Sequence, residues 1–371
     1  MQFTVSSALL SQQLTAIGGV ISRNPIVPIL ENFLFQVDHT GLTVTASDLQ
    51  TSISAFLDIK SDGQVRVAIP ARMLLDTVKN LPEQTIKLEI NPISYAISIY
   101  SDNGHYKLTG ESANDFPELT LLSSIDTFSV DVHVLKNILQ KTLFATSNDE
   151  LKPAMSGVYI QFTPNLVTFV ATDGHRLVRY MRKDWATSAQ SAVIVPKKTL
   201  MLLGGLLHSR DKVAKVTLDR SKIRFDLDNH ISVISRLIDE RYPDYENVIP
   251  KEHSSKLTIN RPALVSTLRR IAIYANKATH QVKLAIADSL LTLSAEDFDF
   301  SNEANEQLVC GYEGLPLDIG FNAKLLLEML MSLTAEEVEF FFWEANRAVL
   351  VFPKGQSAEE DLLLLIMPIV F

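Results

Sequence analysis

Asp173 and His175, in the run Thr172-Asp-Gly-His-Arg-Leu177, come nearest in this chain to a catalytic or metal-binding pair. A carboxylate two residues from an imidazole could orient a general base or share a metal ion. The same Asp recurs, however, in two related segments: Asp48 is followed by Leu49-Gln50, and Asp297 by Phe298-Asp299. A recurring Asp without a recurring His reads as a turn device, in which the carboxylate caps backbone N–H groups and Gly174 takes the left-handed conformation. A triplicated enzyme using His175 and Asp173 therefore stands as the alternative reading. Other chemistry is sparse. Cys310 is the single cysteine, so it offers neither an internal disulfide nor a zinc set, and the other histidines lack ligand spacing. Gly204-Gly205 sits inside a helical pattern and reads as close packing rather than a phosphate loop. No cofactor and no metal are expected.

The elements that carry these residues come in three copies. Leu42-Thr-Val-Thr-Ala-Ser-Asp48 returns as Val167-Thr-Phe-Val-Ala-Thr-Asp173 and as Leu291-Thr-Leu-Ser-Ala-Glu-Asp297, with the Asp residues 125 and 124 positions apart. A strand followed by an amphipathic helix places Pro70, Pro196 and Asn322 at intervals of 126. Phe3, Phe128 and Leu257 open the copies, and Phe116-Pro117, Tyr242-Pro243 and Met367-Pro368 close them. Four markers in the same order and phase define a repeat of whole domains. In the first helix Leu10, Leu14, Ile17 and Ile21 form one apolar stripe, and Asp131 and Asn260 are suitable N-caps for its counterparts. The fold expected is α+β: three similar domains, each with two helices packed on antiparallel sheet. Their boundaries are expected at 1–122, 123–250 and 251–371.

Of the chain's 371 residues 46% are hydrophobic and 21% charged, which is the composition of a soluble globular protein. Its opening residues lack the basic and apolar regions of a signal peptide, and its longest apolar run, residues 362–371, is too short to span a bilayer. A lone cysteine and no membrane segment point to the cytoplasm. The net charge of −9 argues at first against nucleic acid. Its distribution argues the other way. The six helical segments, residues 6–21, 71–81, 131–144, 197–210, 260–278 and 322–334, carry +9, which leaves −18 elsewhere. Lys79, Lys136, Lys141, Lys197, Arg210, Arg269, Arg270 and Lys277 contribute to this basic set, with Lys136 and Lys141 on one helical face and Arg270 and Lys277 on another. Such contacts bind phosphates without reading bases, so double-stranded DNA would be held independently of sequence. A domain of about 125 residues is roughly 35 Å across. Three in contact leave almost no hole, whereas six leave an opening of about 35 Å, wider than B-DNA at roughly 20 Å. Six domains require two chains, expected head-to-tail.

Short runs spread along the chain carry a further signal: Phe3-Thr-Val, Pro28-Ile-Leu30 with Asn32, Ala71-Arg72, Asp115-Phe116-Pro117 and Ala171-Thr-Asp-Gly-His-Arg-Leu177. Val193-Ile-Val-Pro-Lys-Lys198, Tyr242-Pro-Asp-Tyr245 and Met367-Pro368 complete the set. By these residues the sequence resembles, over essentially its whole length, the bacterial DNA polymerase III beta subunit family. The resemblance implies a sliding clamp, without catalysis of its own, that encircles DNA as a homodimeric ring and makes the replicative polymerase processive. It implies a pocket between the second and third domains for the short apolar motif of polymerases, the clamp loader, repair polymerases and mismatch-repair factors. The wall of that pocket would comprise Met155, Thr172, Gly174, His175, Arg176, Leu177, Pro243, Val248, Leu365, Met367, Pro368 and Ile369. Asn247 and Val370 depart from the family, which usually has Arg at both places. The likeness further implies DNA contacts by Arg72 and Lys198, with Arg23 close by. It puts Tyr106, Ile273, Tyr274, Glu303 and Glu306 at the dimer seam.

Overall fold

The computed structural model describes residues 1–118, 120, 126–185, 190–208, 212–228 and 230–369. The first copy runs β1 (Gln2–Ser6), α1 (Ser7–Gly18), β2 (Asn32–Val37), β3 (Leu42–Ser47), β4 (Thr51–Leu57), β5 (Val65–Pro70), α2 (Ala71–Lys79), β6 (Thr85–Ile90), β7 (Ala96–Tyr100), β8 (His105–Thr109) and a short β9 (Glu111–Ser112). The second repeats it as β10 (Asp126–Asp131), α3 (Val132–Thr142), β11 (Gly157–Thr163), β12 (Leu166–Thr172), β13 (Arg176–Arg182), β14 (Ser191–Pro196), α4 (Lys197–Leu206), β15 (Val213–Leu218), β16 (Lys222–Leu227) and β17 (Ile231–Arg236). The third is β18 (Ser255–Asn260), α5 (Arg261–Ile271), β19 (Gln281–Ala287), β20 (Leu290–Asp297), β21 (Asn302–Val309), a short β22 (Gly311–Glu313), β23 (Leu317–Asn322), α6 (Ala323–Met331), β24 (Glu337–Phe342), β25 (Val349–Pro353) and β26 (Glu360–Ile366). The threefold α+β repeat is thus present element by element.

Two compact units contain these copies: Met1–Lys136 with Lys198–Leu237, and Asn137–Lys197 with Ile238–Phe371. In the first unit β1-β6-β7-β8 form one sheet, and β10-β15-β16-β17-β4-β3-β2-β5-β9 form another. In the second unit the sheets are β14-β11-β12-β13-β26-β25-β24-β18-β22 and β21-β20-β19-β23. Units and copies do not coincide, because each sheet of the second copy continues into a neighbouring copy. One junction is β17 against β4, with Val233 opposite Ile53; the other is β26 against β13, with Leu364 opposite Val178. The boundary expected at 122 falls outside the described residues.

Local chemistry sets the helices. Ser6 Oγ accepts the Leu9 N–H at the start of α1, which buries Leu10, Leu14 and Ile17 as its spacing requires. Asp131 accepts the His133 and Val134 N–H groups at α3, Asn260 that of Ala263 at α5, and Asn322 those of Lys324 and Leu325 at α6. Each such cap contributes about 1 kcal/mol. α5 stops at Ile271, seven residues before the end of the segment expected from sequence. Asn276 Oδ1 accepts the Ala278 and Thr279 N–H groups, an Asx turn that competes with helix, so Lys277 lies in a turn and shares no helical face with Arg270. At Gly205 a Cβ would meet nothing within 4 Å, so close packing does not explain that glycine. Among the described residues no helix is long and apolar enough to cross a membrane.

The junction of β13 with β26 holds a buried polar cluster. Lys141, expected on the basic surface, is instead 6% exposed, with its ammonium 3.0 Å from Glu360 Oε2 and 3.4 Å from the Tyr180 hydroxyl. Tyr180 donates its hydroxyl hydrogen to Glu360, and Arg182 reaches both Tyr180 (2.9 Å) and Glu360 (3.2 Å) while its fork is held by Asp184. Burial would raise the Glu360 carboxyl, but hydrogen bonds from Tyr180 and Lys141 outweigh it and hold the group below the usual carboxylate range. Burial and the Glu360 carboxylate push the Tyr180 phenol up. Lys141→Ala removes one of the two cations on Glu360 and leaves Arg182, so it should cost about 2 kcal/mol in denaturant unfolding without altering DNA retention. A depressed carboxyl stabilises above its unfolded pKa. The stability difference between the native chain and Glu360→Gln should therefore be level near neutrality and shrink once pH falls below about 4. A difference that grows on acidification would refute the pairing.

Candidate peptide-docking site and basic faces

Two turns and a strand end converge within the second unit. β13 and β26 pair with Leu177 opposite Leu365 and Arg176 opposite Ile366; beyond the strand the Met367 N–H donates to the His175 carbonyl at 2.8 Å. Beneath them Val170, Leu177, Ile194, Tyr242, Tyr245, Leu363 and Leu365 form an apolar cluster. Tyr159 stacks on Tyr242 with centroids 4.7 Å apart, and the Tyr242 hydroxyl donates to the Val170 carbonyl. Ala154, Ile249, Leu350 and Phe352 pack against the cluster.

Gly174, His175, Val248 and Met367 are exposed here, and Met155, Pro243, Pro368 and Ile369 are half-buried. The other four expected wall residues are buried. Leu177 and Leu365 are floor. The Thr172 hydroxyl donates to the Arg176 carbonyl and accepts the Gly174 N–H, so it has little left for a ligand. Arg176 is corrected outright: its guanidinium, 6% exposed, bonds Asp173, Glu328, and the Phe144 and Leu325 carbonyls. It braces the turn and does not face a ligand. Asp173 Oδ1 accepts the His175 and Arg176 N–H groups, and Asp48 and Asp297 cap their turns in the same way. Asp173 is thereby a turn cap and not a partner of the His175 imidazole. Asn247 donates to Asp244 at 2.6 Å, and Val370 lies outside the described residues.

The first copy contains the same place, filled. By strand register Tyr159 corresponds to Leu34, since they pair with Val170 and Thr45, each three residues before the repeated Asp. Counting along the chain, Ala154 then corresponds to Ile29 and Gly174 to Leu49. In the first copy Ile29, Leu30, Leu34, Ala68, Ala113 and Phe116 form a cluster against which Leu49 packs. The second copy has Ala and Gly where the first has Ile and Leu, so smaller residues border its cluster, whose members are still buried. Sequence reasoning named Gly174 but missed Ala154 and the tyrosine floor; alignment of the copies against one another is the signal that finds them.

The basic residues divide into free and engaged. Arg23, Arg72, Lys79 and Lys136 are exposed and make no ion pair with a described residue. In the first unit a groove of about 710 Å³ runs between α1, α2 and α4, lined by Ser11, Gln12, Thr15, Lys79, Met201 and Gly205. Lys198 is paired with Asp48. Lys197 is half-buried on Asn148 (2.8 Å), and burial followed by the Arg176 charge pushes its ammonium down. Arg270 is held by Glu306, with Nη2 to Oε2 at 2.6 Å, so these two satisfy each other rather than DNA or a seam. Arg269 is exposed beside the Met331 sulfur, and the Lys277 ammonium lies 5.8 Å over the Phe300 ring. Arg210 lies outside the described residues. Of the expected seam residues Tyr106, Ile273, Tyr274 and Glu303 are exposed.

Family models for the DNA polymerase III beta subunit match the chain in three consecutive parts: the N-terminal domain at residues 1–120, the central domain at 129–244 and the C-terminal domain at 246–369. The beta sliding clamp of Vibrio cholerae is 28% identical over 374 residues, covering 100% of both chains. That of Synechococcus elongatus is 29% identical, covering 97% of this chain and 96% of the relative. The crystal structure of the DNA polymerase sliding clamp from Pseudomonas aeruginosa superposes with a TM-score of 0.92 at 27% identity over 100% of both chains. The DnaN sliding clamp from Bartonella birtlesii gives 0.92 at 29%, again over 100% of both. Fold and sequence together define the class: a three-domain clamp, each domain two helices on antiparallel sheet. Within that class the chain belongs to the family of the DNA polymerase III beta subunit.

The first copy supplies a template for closing the site. Leu49 occupies the left-handed region (φ 74°), as Gly174 does (φ 91°), and a Cβ at Gly174 would meet nothing within 4 Å. A leucine there costs about 1–2 kcal/mol of backbone strain and should project over the floor. Gly174→Leu should weaken binding of a short Leu- and Phe-containing peptide at least about tenfold, read by fluorescence anisotropy, in a protein that still unfolds cooperatively. Undiminished affinity would show that the peptide binds elsewhere.

Proposed function

We propose that two copies of this chain close head-to-tail into a ring of six like domains that encircles duplex DNA and tethers a DNA polymerase by a peptide seated at the Gly174–His175 turn. One observation carries the reading. Leaving out the short β9 and β22, the eighth strand of the second copy (β17) pairs with the fourth strand of the first (β4), and the eighth of the third (β26) with the fourth of the second (β13). The eighth strand of the first copy, β8, and the fourth of the third, β21, end their sheets with no strand beyond them among the described residues. Open edges are aggregation hazards unless paired. Pairing β8 with β21 of a second chain, twice, leaves neither edge open and gives a closed assembly. Ile273, 77% exposed, and Tyr274 lie just past α5 in the same copy as β21, and Tyr106 lies on β8 itself.

The ring has no chemistry of its own, and the satisfied Asp173 carboxylate speaks against the hydrolase or transferase alternative. Arg23, Arg72, Lys79, Lys136, Arg269 and Lys277 are exposed cations with no ion pair to a described residue and are available for phosphate, and contacts of that kind ignore sequence. The apolar site with Met367 and Val248 at its surface suits Leu and Phe side chains. Its occupants would be segments of the replicative polymerase, the clamp loader, repair polymerases and mismatch-repair factors, in the cytoplasm. A topological grip has a distinctive test. After loading on nicked circular DNA the protein should survive a high-salt wash and leave when the circle is linearised. Equal loss from circular and linear DNA would sink the ring.

A further inference from the structure

Successive residues of a strand point to opposite faces, so outward positions can be compared across the three copies. Phe3, Phe128 and Leu257 pair with Leu88, Val216 and Phe340, which pair in turn with Ile99, Phe225 and Val351. All of these are buried and equivalent, so their chain neighbours face outward. In the first copy those neighbours are Lys87, Glu89, Ser98 and Tyr100, and in the second Lys215, Thr217, Arg224 and Asp226. Every one carries a polar or charged group. In the third copy they are Glu339, Phe341, Leu350 and Phe352. The apolar version belongs to the copy whose β26 runs to the Gly174 turn; β17, in the polar second copy, runs to the turn that carries Leu49.

Phe341 and Phe352 meet edge-to-face, with centroids 5.5 Å apart and planes at 84°, and the His253 ring lies edge-on to Phe341 at 4.7 Å. Both phenylalanines and Leu350 are half-buried. A cleft of about 380 Å³ is lined by the two rings with Glu339, Pro353, Lys354 and Gln356. Its polar margin is engaged internally. Lys354 pairs with Glu337 and Lys256 with Glu339, both at 2.8 Å, and the Gln356 amide donates to the Leu362 carbonyl and accepts the Leu362 N–H. A margin so compensated suits an apolar occupant. The face is also continuous with the docking site: Leu350 pairs with Leu365 of its floor, and Phe341 pairs with Leu350. Leu350 and Phe352 pack on the cluster beneath that site. Two strand spacings, about 10 Å, separate Leu365 from Phe341, a span of about three extended residues.

We propose that the outward face of β24 and β25 is a second contact for the peptide docked at the Gly174–His175 turn, taking an aromatic side chain about three to five residues outside its Leu- and Phe-containing motif. This inference rests on the docking-site reading and extends it beyond the wall residues expected from sequence. A third ring packs on an edge-to-face pair in the same manner and buries a large apolar area.

Anisotropy and photo-cross-linking on the full chain test the contact. A peptide with the motif alone is compared with two longer ones, bearing a phenylalanine four residues before or four residues after it. One of the longer peptides should bind about tenfold more tightly, the gain from burying one phenyl group. With benzoylphenylalanine at that position it should cross-link to residues 337–356 of the unsubstituted chain. Phe341→Thr, which installs the second copy's residue, should remove the gain and leave the affinity of the short peptide unchanged. No gain from either extension, a cross-link elsewhere, or a gain that survives Phe341→Thr overturns the second contact. So does a weaker sedimenting dimer in Phe341→Thr, which would make this face a contact between copies. A short peptide that does not bind the unsubstituted chain removes the docking site itself, and the second contact with it.

Discussion

An antiparallel sheet must do something with its last strand. Backbone N–H and C=O groups on an edge are obligatory hydrogen-bonding groups, and leaving a long row of them open invites uncontrolled pairing. In this chain the first two copies each lend the edge of one sheet, β4 and β13, to the copy that follows. The same contact that protects the edge also fixes the neighbour's position, because a register shift of one residue would turn every apolar side chain outward. Domain arrangement and sheet completion are therefore a single interaction. This is why the compact units cut across the repeat: Met1–Lys136 with Lys198–Leu237 contains a whole copy and half of another. The repeated unit folds as a domain, but its sheets are not finished within it.

Once a junction is repeated, its surroundings are free to diverge, and the clefts beside the Asp turns show how. At the first turn Leu49 and Ile29 belong to the apolar cluster or pack on it; at the second, the equivalent places are Gly174 and Ala154, with Met367 and Val248 exposed nearby. Filling and opening use the same backbone, including the same left-handed residue after the Asp. The proposed docking site thus differs from its first-copy equivalent in side-chain size and not in scaffold. The buried Arg176 makes this possible. Its four bonds to Asp173, Glu328 and two backbone carbonyls hold the turn rigid where side-chain packing no longer does.

Much of this was legible before any coordinates. Period-two alternation, helical stripes and the Asn and Asp caps identified the elements, and four markers in phase identified three copies, because these are local signals written along the chain. What stayed hidden depends on partners distant in sequence. Lys141 has the spacing of a surface lysine, and only the arrival of Glu360 and Tyr180, 219 and 39 residues away, turns it into a core residue. Arg270 looks like a free cation until Glu306 of β21 is seen beside it. Arg176 looks like a ligand contact until α6 supplies Glu328. The end of α5 was missed for a local reason: the Asx turn at Asn276 competes with a helix that charge and periodicity would otherwise extend.

These corrections bear on how a chain of net charge −9 can hold a polyanion. Counting basic residues on helical segments overstates the cations available, since Lys141 is buried on Glu360, and Arg270 and Lys198 are shared with Glu306 and Asp48. What remains is a small set of exposed, unpaired cations. For a protein whose affinity came from phosphate contacts this would be a deficiency, because each neutralised phosphate adds to counterion release and to binding free energy. For a closed ring the requirement is reversed. Retention comes from topology, so every strong phosphate contact is friction against movement along the duplex. A modest number of unpaired cations on the helical segments, with the acidic surplus elsewhere, is a distribution that suits a ring held by topology and free to slide.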